Sequence, residues 1–274
     1  MSLKSQEARR MSRIRQRFQH LSDNASKALI AYVMAGDPDL STTEKIVLEM
    51  EKAGADIIEL GVPFSDPVAD GPTIQKAAER ALLQGVTLQS VIDSVASLRK
   101  QTSIPILLMT YLNPVHAFGV EPFFKAAKDA QIDGVIIPDL PLEEAKLFLT
   151  FSRRYRLDLI FFVAPTTPLD RMKKIAKAAS GFIYYVALTG TTGAKLQETE
   201  SVTQQIQKLK SLTKMPVAAG FGISTIEEAM AISRLSDGII VGSMLVKIIE
   251  TATEGGSFLT RLSQQVALLS EAIR

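Results

Sequence analysis

The chain has no cysteine among its 274 residues. That removes disulfides, thiolate nucleophiles and zinc–thiolate centres, and it suits a reducing compartment, so a cytoplasmic location is expected. Histidine is nearly as scarce, with only His20 and His116. A multi-histidine metal site is therefore not expected, and a Ser-His-Asp triad would have to use one of these two. His116 follows Asn113-Pro114 in what reads as a surface loop. An excess of charge of one sign is also lacking: the formal net charge is +2, too small to point to nucleic acid. No apolar run reaches the ~18 residues that a membrane span needs, so no membrane partner is expected.

What is present is ordinary globular composition, 46% apolar and 22% charged. Eight apolar, β-rich runs recur: Leu29–Met34, Asp56–Leu60, Ile104–Thr110, Gly134–Pro138, Leu157–Ala164, Phe182–Ala187, Met215–Ala219 and Gly238–Val241. They are mostly continuous rather than alternating, as parallel strands covered on both faces should be. Helical patterns lie between them. Ser41-Thr42-Thr43-Glu44 reads as a capping box before Ile46, Val47 and Met50, with Gly54 as the stop. Val91, Ile92, Val95 and Leu98 form an apolar stripe. Thr167-Pro168 reads as a cap and first-turn proline before Met172 and Ile175. Ser224-Thr225-Ile226-Glu227 reads as a second capping box. Alternation of this kind predicts an α/β protein with a (β/α)8 barrel; an open doubly wound sheet fits the count of eight less well. No linker or low-complexity boundary interrupts it, so residues 1–274 are expected to form one domain. Residues 1–20 carry five arginines and one acid. A transit peptide has that balance. However, Met11, Ile14, Phe18 and Leu21 share a helical face, and 1–27 is expected to be a helical extension packed on the barrel.

The most informative stretch runs from Ile57 to Pro72. It is an apolar strand that carries Glu59 near its end and opens into a loop with Asp66 and Asp70. Three prolines and two glycines fix the loop's course. A carboxylate within an apolar strand is costly unless it is paired, solvated or used. In barrels of this kind chemistry sits at the C-terminal strand ends, which is where Glu59 falls. Glu59, between Ile58 and Leu60, is the better candidate for a pKa raised by desolvation. Two carboxylates at the barrel mouth can then divide acid and base roles. Asp66, before Pro67, also reads as a turn residue.

Glycine turns mark the other end of the expected site. Gly220-Phe221-Gly222-Ile223-Ser224 follows the seventh run and Gly242-Ser243 the eighth, each opening a helix. Such turns bring backbone N–H groups and a helix N-terminus up to an anion. Thr189-Gly190-Thr191-Thr192-Gly193 is a third glycine-rich loop, and it suits a lid over residues 188–198. Tyr32, Tyr111, Tyr184 and Phe221 would present rings near the strand ends, although strand aromatics also serve simply as core.

The segment Glu59 to Gln75 resembles the signature of the tryptophan synthase α subunit family. The resemblance extends to Ala35-Gly36-Asp37-Pro38, Pro138-Asp139-Leu140-Pro141, the 189–193 loop, 220–224 and Val241-Gly242-Ser243. It implies a lyase that splits indole-3-glycerol phosphate into indole and glyceraldehyde 3-phosphate in L-tryptophan biosynthesis. Glu59 would protonate the indole ring at C3 and Asp70 would stabilise charge on its nitrogen. Tyr184 and Phe221 would wall the indole pocket, with Tyr111 a further substrate contact. Thr192 would support the aspartate. Gly193, Gly222, Gly242 and Ser243 would hold phosphate. The family works as an α2β2 complex: no cofactor is expected in this chain, pyridoxal phosphate is expected in the β subunit, and the loop carrying Pro63 and Asp66 would face that partner. Ala187 and Lys195 depart from the family's Ser-x-Thr-Gly-x-Thr-Gly-x-Arg pattern at its first and last positions. The glycine turns also permit a phosphosugar isomerase on the same barrel, and Ala187 and Lys195 motivate a partner-activating subunit whose own chemistry has weakened; the Glu59–Asp70 segment argues against both.

Overall fold

The computed structural model describes residues 11–186, 195–220, 222–254 and 257–274, except for the side chains of 195–201 and 253–254. Eight strands close into a parallel barrel in chain order: β1 (Ala28–Met34), β2 (Ile57–Gly61), β3 (Ile106–Met109), β4 (Gly134–Ile136), β5 (Asp158–Val163), β6 (Ile183–Val186), β7 (Val217–Gly220) and β8 (Gly238–Val241), with β8 pairing back onto β1. The helices are α1 (Arg13–Asp23), α2 (Leu40–Lys52), α3 (Pro72–Leu83), α4 (Leu88–Leu98), α5 (Leu112–Phe118), α6 (Val120–Asp129), α7 (Lys146–Tyr155), α8 (Leu169–Ala178), α9 (Lys195–Leu212), α10 (Ile226–Ser233), α11 (Ser243–Glu250) and α12 (Phe258–Ile273). This is the (β/α)8 barrel with an added N-terminal helix. Among the described residues no single helix is long and apolar enough to cross a membrane.

The strands are buried on both faces, which is why their runs are continuous. One core lies between sheet and helices. A second fills the barrel and includes Ile30, Ile57, Leu107, Ile136, Ile160, Phe182 and Ile240. Side chains alternate along a strand, so Glu59 points inward with Ile57, and Tyr32 points inward with Ile30. The register sets Tyr32 opposite Glu59 and Glu59 opposite Leu107.

Helix α1 closes the N-terminal pole. Ile14, Phe18 and Leu21 join the interior core, and the Phe18 and Phe182 rings meet at 5.7 Å. Its polar face meets carboxylates at the strand starts: Arg17 pairs with Asp56, Arg13 with Asp133, and Ser12 donates to Asp158. Asp56 and Asp133 also accept from the neighbouring strands' backbone, at Leu29 and Ile106.

Several local expectations are corrected. Met11 lies outside α1, which Ser12 caps. The cap of α2 is Asp39, not Ser41: Asp39 accepts from the Thr42 N–H at 2.7 Å, and the Ser41 hydroxyl donates to Asp39 instead. Thr167 does not cap α8. Its hydroxyl accepts from Ala164 N–H, and Pro168 stands at the cap. The second capping box is shifted by one residue. Thr225 accepts from Glu228 N–H, and the Glu228 carboxylate accepts from Ser224. His116 is exposed as expected but sits in α5, its ring edge-on to Phe148 at 5.9 Å, not in a loop. The strands themselves are mostly shorter than the apolar runs, because the run ends turn out of the ladder.

Candidate active site

Glu59 is the third of the five residues in β2, one position deeper than the apolar run suggested. It is fully buried, and neither carboxylate oxygen has a hydrogen-bond partner among the described residues. A buried carboxylate left this way holds its proton. Burial, reinforced by the charge of Asp70, pushes its pKa up to about 8.

Asp70 follows the β2 loop and stands just before Gly71, the N-cap of α3. Burial raises its pKa to about 6, against a downward pull from the Tyr111 hydroxyl, which donates to Oδ2 at 3.0 Å. The two carboxyls therefore differ by environment. One is dry and unpaired; the other is half-buried and hydrogen-bonded.

Tyrosines stand near both carboxyls. Burial followed by the Asp70 and Glu59 charges raises the Tyr32 phenol well above its usual range. Tyr184, on β6, is raised by burial and then by Glu59 and Asp70. Its ring lies 4.7 Å from Phe162. Tyr32 runs from β2 to β8: a methyl group on Gly61 would overlap its hydroxyl, and one on Gly242 would stand 3.2 Å from its Cδ1. Glycine is needed at Gly61 for this close approach. The same ring thus connects the carboxylate end of the site to the turn that opens α11. The place of Tyr32 opposite Glu59 follows from the register of β1 on β2.

The two anion turns differ. Gly242 is the N-cap of α11 with no side-chain cap, so the first N–H groups of that helix, from Ser243 on, are left for another acceptor. Gly222, with φ of 62°, makes the left-handed turn after β7. Beyond it, α10 is already capped by Thr225, and Glu228 occupies the Ser224 N–H and hydroxyl. Of the remaining expected residues, Tyr111 lies under the β2 loop, Pro63 is buried, and Asp66 is exposed and accepts from Ser65. Thr192, Gly193 and Phe221 lie outside the described residues, as do Ala187 and most of the 188–198 loop; of Lys195 only the backbone is described.

The arrangement offers a proton donor, a second carboxyl that ionises more readily, aromatic walls and an anion-accepting helix end at one pole of the barrel. Its relatives agree. A family model described as tryptophan synthase alpha chain matches residues 18–274. The tryptophan synthase alpha chain of Geotalea uraniireducens is 47% identical over 264 residues, 96% of this chain and 98% of that protein. That of Geotalea daltonii is 48% identical, over 96% and 99%. The crystal structure of tryptophan synthase subunit alpha from Legionella pneumophila superposes with a TM-score of 0.89 at 36% identity, covering 96% of this chain and 98% of that one. With the barrel in common, and with matches that run over nearly the whole of each chain, this chain belongs to the tryptophan synthase alpha chain family.

Proposed function

We propose that Glu59 is the general acid and Asp70 the charge-stabilising carboxylate of the cleavage. The chain is a carbon–carbon lyase that splits indole-3-glycerol phosphate into indole and glyceraldehyde 3-phosphate, the activity of its family. The observation that carries the role assignment is the contrast between the carboxyls: Glu59 keeps its proton near neutrality because it is buried without a partner, whereas Asp70 ionises earlier. Glu59 donates its proton to C3 of the indole ring, making an indolenine. Asp70 interacts with the ring N–H and offsets the positive charge on nitrogen. Loss of the proton on the side-chain hydroxyl then breaks the carbon–carbon bond and restores the aromatic ring. One proton leaves Glu59 and one leaves the substrate, so the carboxylate can take the second and end as it began.

Tyr184 would flank the indole, with Phe221 as a further contact and Thr192 as a support for the aspartate. Ser243, Gly242, Gly222 and Gly193 would receive the phosphate. The uncapped N-terminus of α11 is the feature that favours this end. The family acts with a β subunit and needs no cofactor in the alpha chain. More finely, we assign this chain to an α2β2 complex whose β subunit holds pyridoxal phosphate, in the cytoplasm, with 1–274 as one domain and 1–27 as its helical extension. The loop carrying Pro63 and Asp66 would meet the partner; it exposes 82% of the apolar Val68.

The test is turnover of indole-3-glycerol phosphate by the purified chain with its β partner. Glu59→Gln should lose at least ~10²-fold in kcat, as expected for removal of a general acid. Turnover at the parental rate would overturn the assignment.

A further inference from the structure

The Tyr111 ring sits at the point where three strand ends meet. It stands two residues past the end of β3 and is 3% exposed. Its hydroxyl accepts from the Ala69 N–H at 3.1 Å and donates to Asp70 Oδ2 at 3.0 Å. Its ring meets Phe64 at 5.3 Å between centroids. One side chain therefore grips both ends of the loop after β2. The next peptide fastens it on the other side, because the Leu112 N–H donates to Asp139, in the loop after β4, at 2.9 Å. The phenol uses both capacities here: one lone pair accepts the Ala69 N–H, and its proton is directed at the carboxylate.

We propose that Tyr111 is the positioning residue for Asp70, fixing one carboxylate oxygen and leaving the other for the substrate, rather than a wall of the indole pocket. This rests on the role given to Asp70 above. A hydroxyl that donates to a carboxylate favours its ionised form, and among the described residues this is the interaction that opposes the effect of burial on Asp70. The other titratable groups facing Asp70 are Glu59 on β2, Tyr32 on β1 and Tyr184 on β6, and Asp139 acts on Tyr111 from behind. From α3, Gln75 donates to the Asp70 backbone carbonyl and carries no charge. None of these would replace the lost donor.

Tyr111→Phe keeps the ring and its contact with Phe64 and removes only the hydroxyl. In the complex with the β subunit, the acid limb of kcat/KM should move up by roughly one pH unit, because less Asp70 is ionised at a given pH. At pH 7 kcat should fall on the order of 10-fold with KM changed less than about 2-fold. The Tyr111→Phe/Asp70→Asn double variant should be no slower than Asp70→Asn alone, since the two act as a unit. An unmoved acid limb with a raised KM would make Tyr111 a wall residue and overturn the proposal. Carboxyl-carbon NMR of the unliganded chain gives a readout independent of activity: the Asp70 midpoint should rise in Tyr111→Phe, and an unchanged midpoint would equally overturn it. If Asp70→Asn kept full activity, the role of Asp70 would fall, while the NMR midpoint would still decide whether Tyr111 controls it.

Discussion

Replacing Glu59 by glutamine should abolish most activity and at the same time stabilise the protein. Glu59 titrates at about 8 in the fold and at 4.5 when unperturbed. Between those values the folded chain holds a proton that the unfolded chain has released. The native state therefore binds more protons, and stability contributed at this site falls as pH rises. The penalty is absent below the unfolded value, grows through neutrality and levels off above the folded one. Each unit of difference is worth about 1.4 kcal/mol. A gap of about 2.5 units at pH 7 then corresponds to about 3 kcal/mol, and the full gap to about 5 kcal/mol above pH 8. Glutamine buries a neutral polar group of the same shape and escapes this term. Thermal unfolding of the parent and Glu59→Gln should give equal midpoints near pH 4.5 and a gain on the order of 5–10 °C for the variant at pH 7 and above. A gain independent of pH, or a variant less stable at pH 8.5, would refute the reasoning. It would mean that Glu59 is ionised and compensated by a partner.

The same pair governs the activity profile. kcat/KM should be bell-shaped, rising near pH 6 as Asp70 ionises and falling near pH 8 as Glu59 loses its proton, with both limbs belonging to the coupled pair; activity constant to pH 9.5 would contradict this. Gly61→Ala would drive a methyl group into the Tyr32 hydroxyl and to 2.7 Å from its Cζ, and should destabilise by about 1–3 kcal/mol in denaturant titration. Tyr32→Leu in the same chain should restore part of that loss. At the opposite pole, Arg17→Ala strips the main cation from Asp56, which is 1% exposed, and should destabilise by about 3 kcal/mol. Arg154→Ala removes the exposed pair with Glu121 and should change stability by less than about 1 kcal/mol.

Much of this site was legible in the chain itself, for a definite physical reason. A strand covered on both faces has no polar side, so the apolar runs marked the barrel staves and their order. A charge inside such a run stands out, and Glu59 did. The caps were harder to place, because each helix start offers several oxygen-bearing side chains in a row and the backbone decides among them. Asp39 is extended, with φ of −157°, and so reaches Thr42; Ser41 is already inside the helix. The bond from Tyr111 to Asp70 spans 41 residues and two strand ends, and no local pattern encodes it. Tyr32 was hidden similarly: its partners are Gly61 at the end of β2 and Gly242 just past β8.

The N-terminal pole did carry a readable signal. Asp56, Asp133 and Asp158 each stand at the start of an apolar run, and the basic face of α1 meets two of them with Arg17 and Arg13. These acids are as buried as those at the catalytic pole, yet they are treated differently. Burial raises Asp133, but Arg99 and Arg13 pull it back, and it accepts from the Ile106 N–H. Among the described residues Glu59 receives neither a cation nor a donor. Burial alone thus does not separate a structural acid from a working one in this barrel, since both poles hide carboxylates. The difference lies in compensation. Where the fold needs the charge, it supplies partners for the ionised form. Where the proposed chemistry needs the proton, the described residues supply none, and the raised pKa of Glu59 follows from burial without compensation.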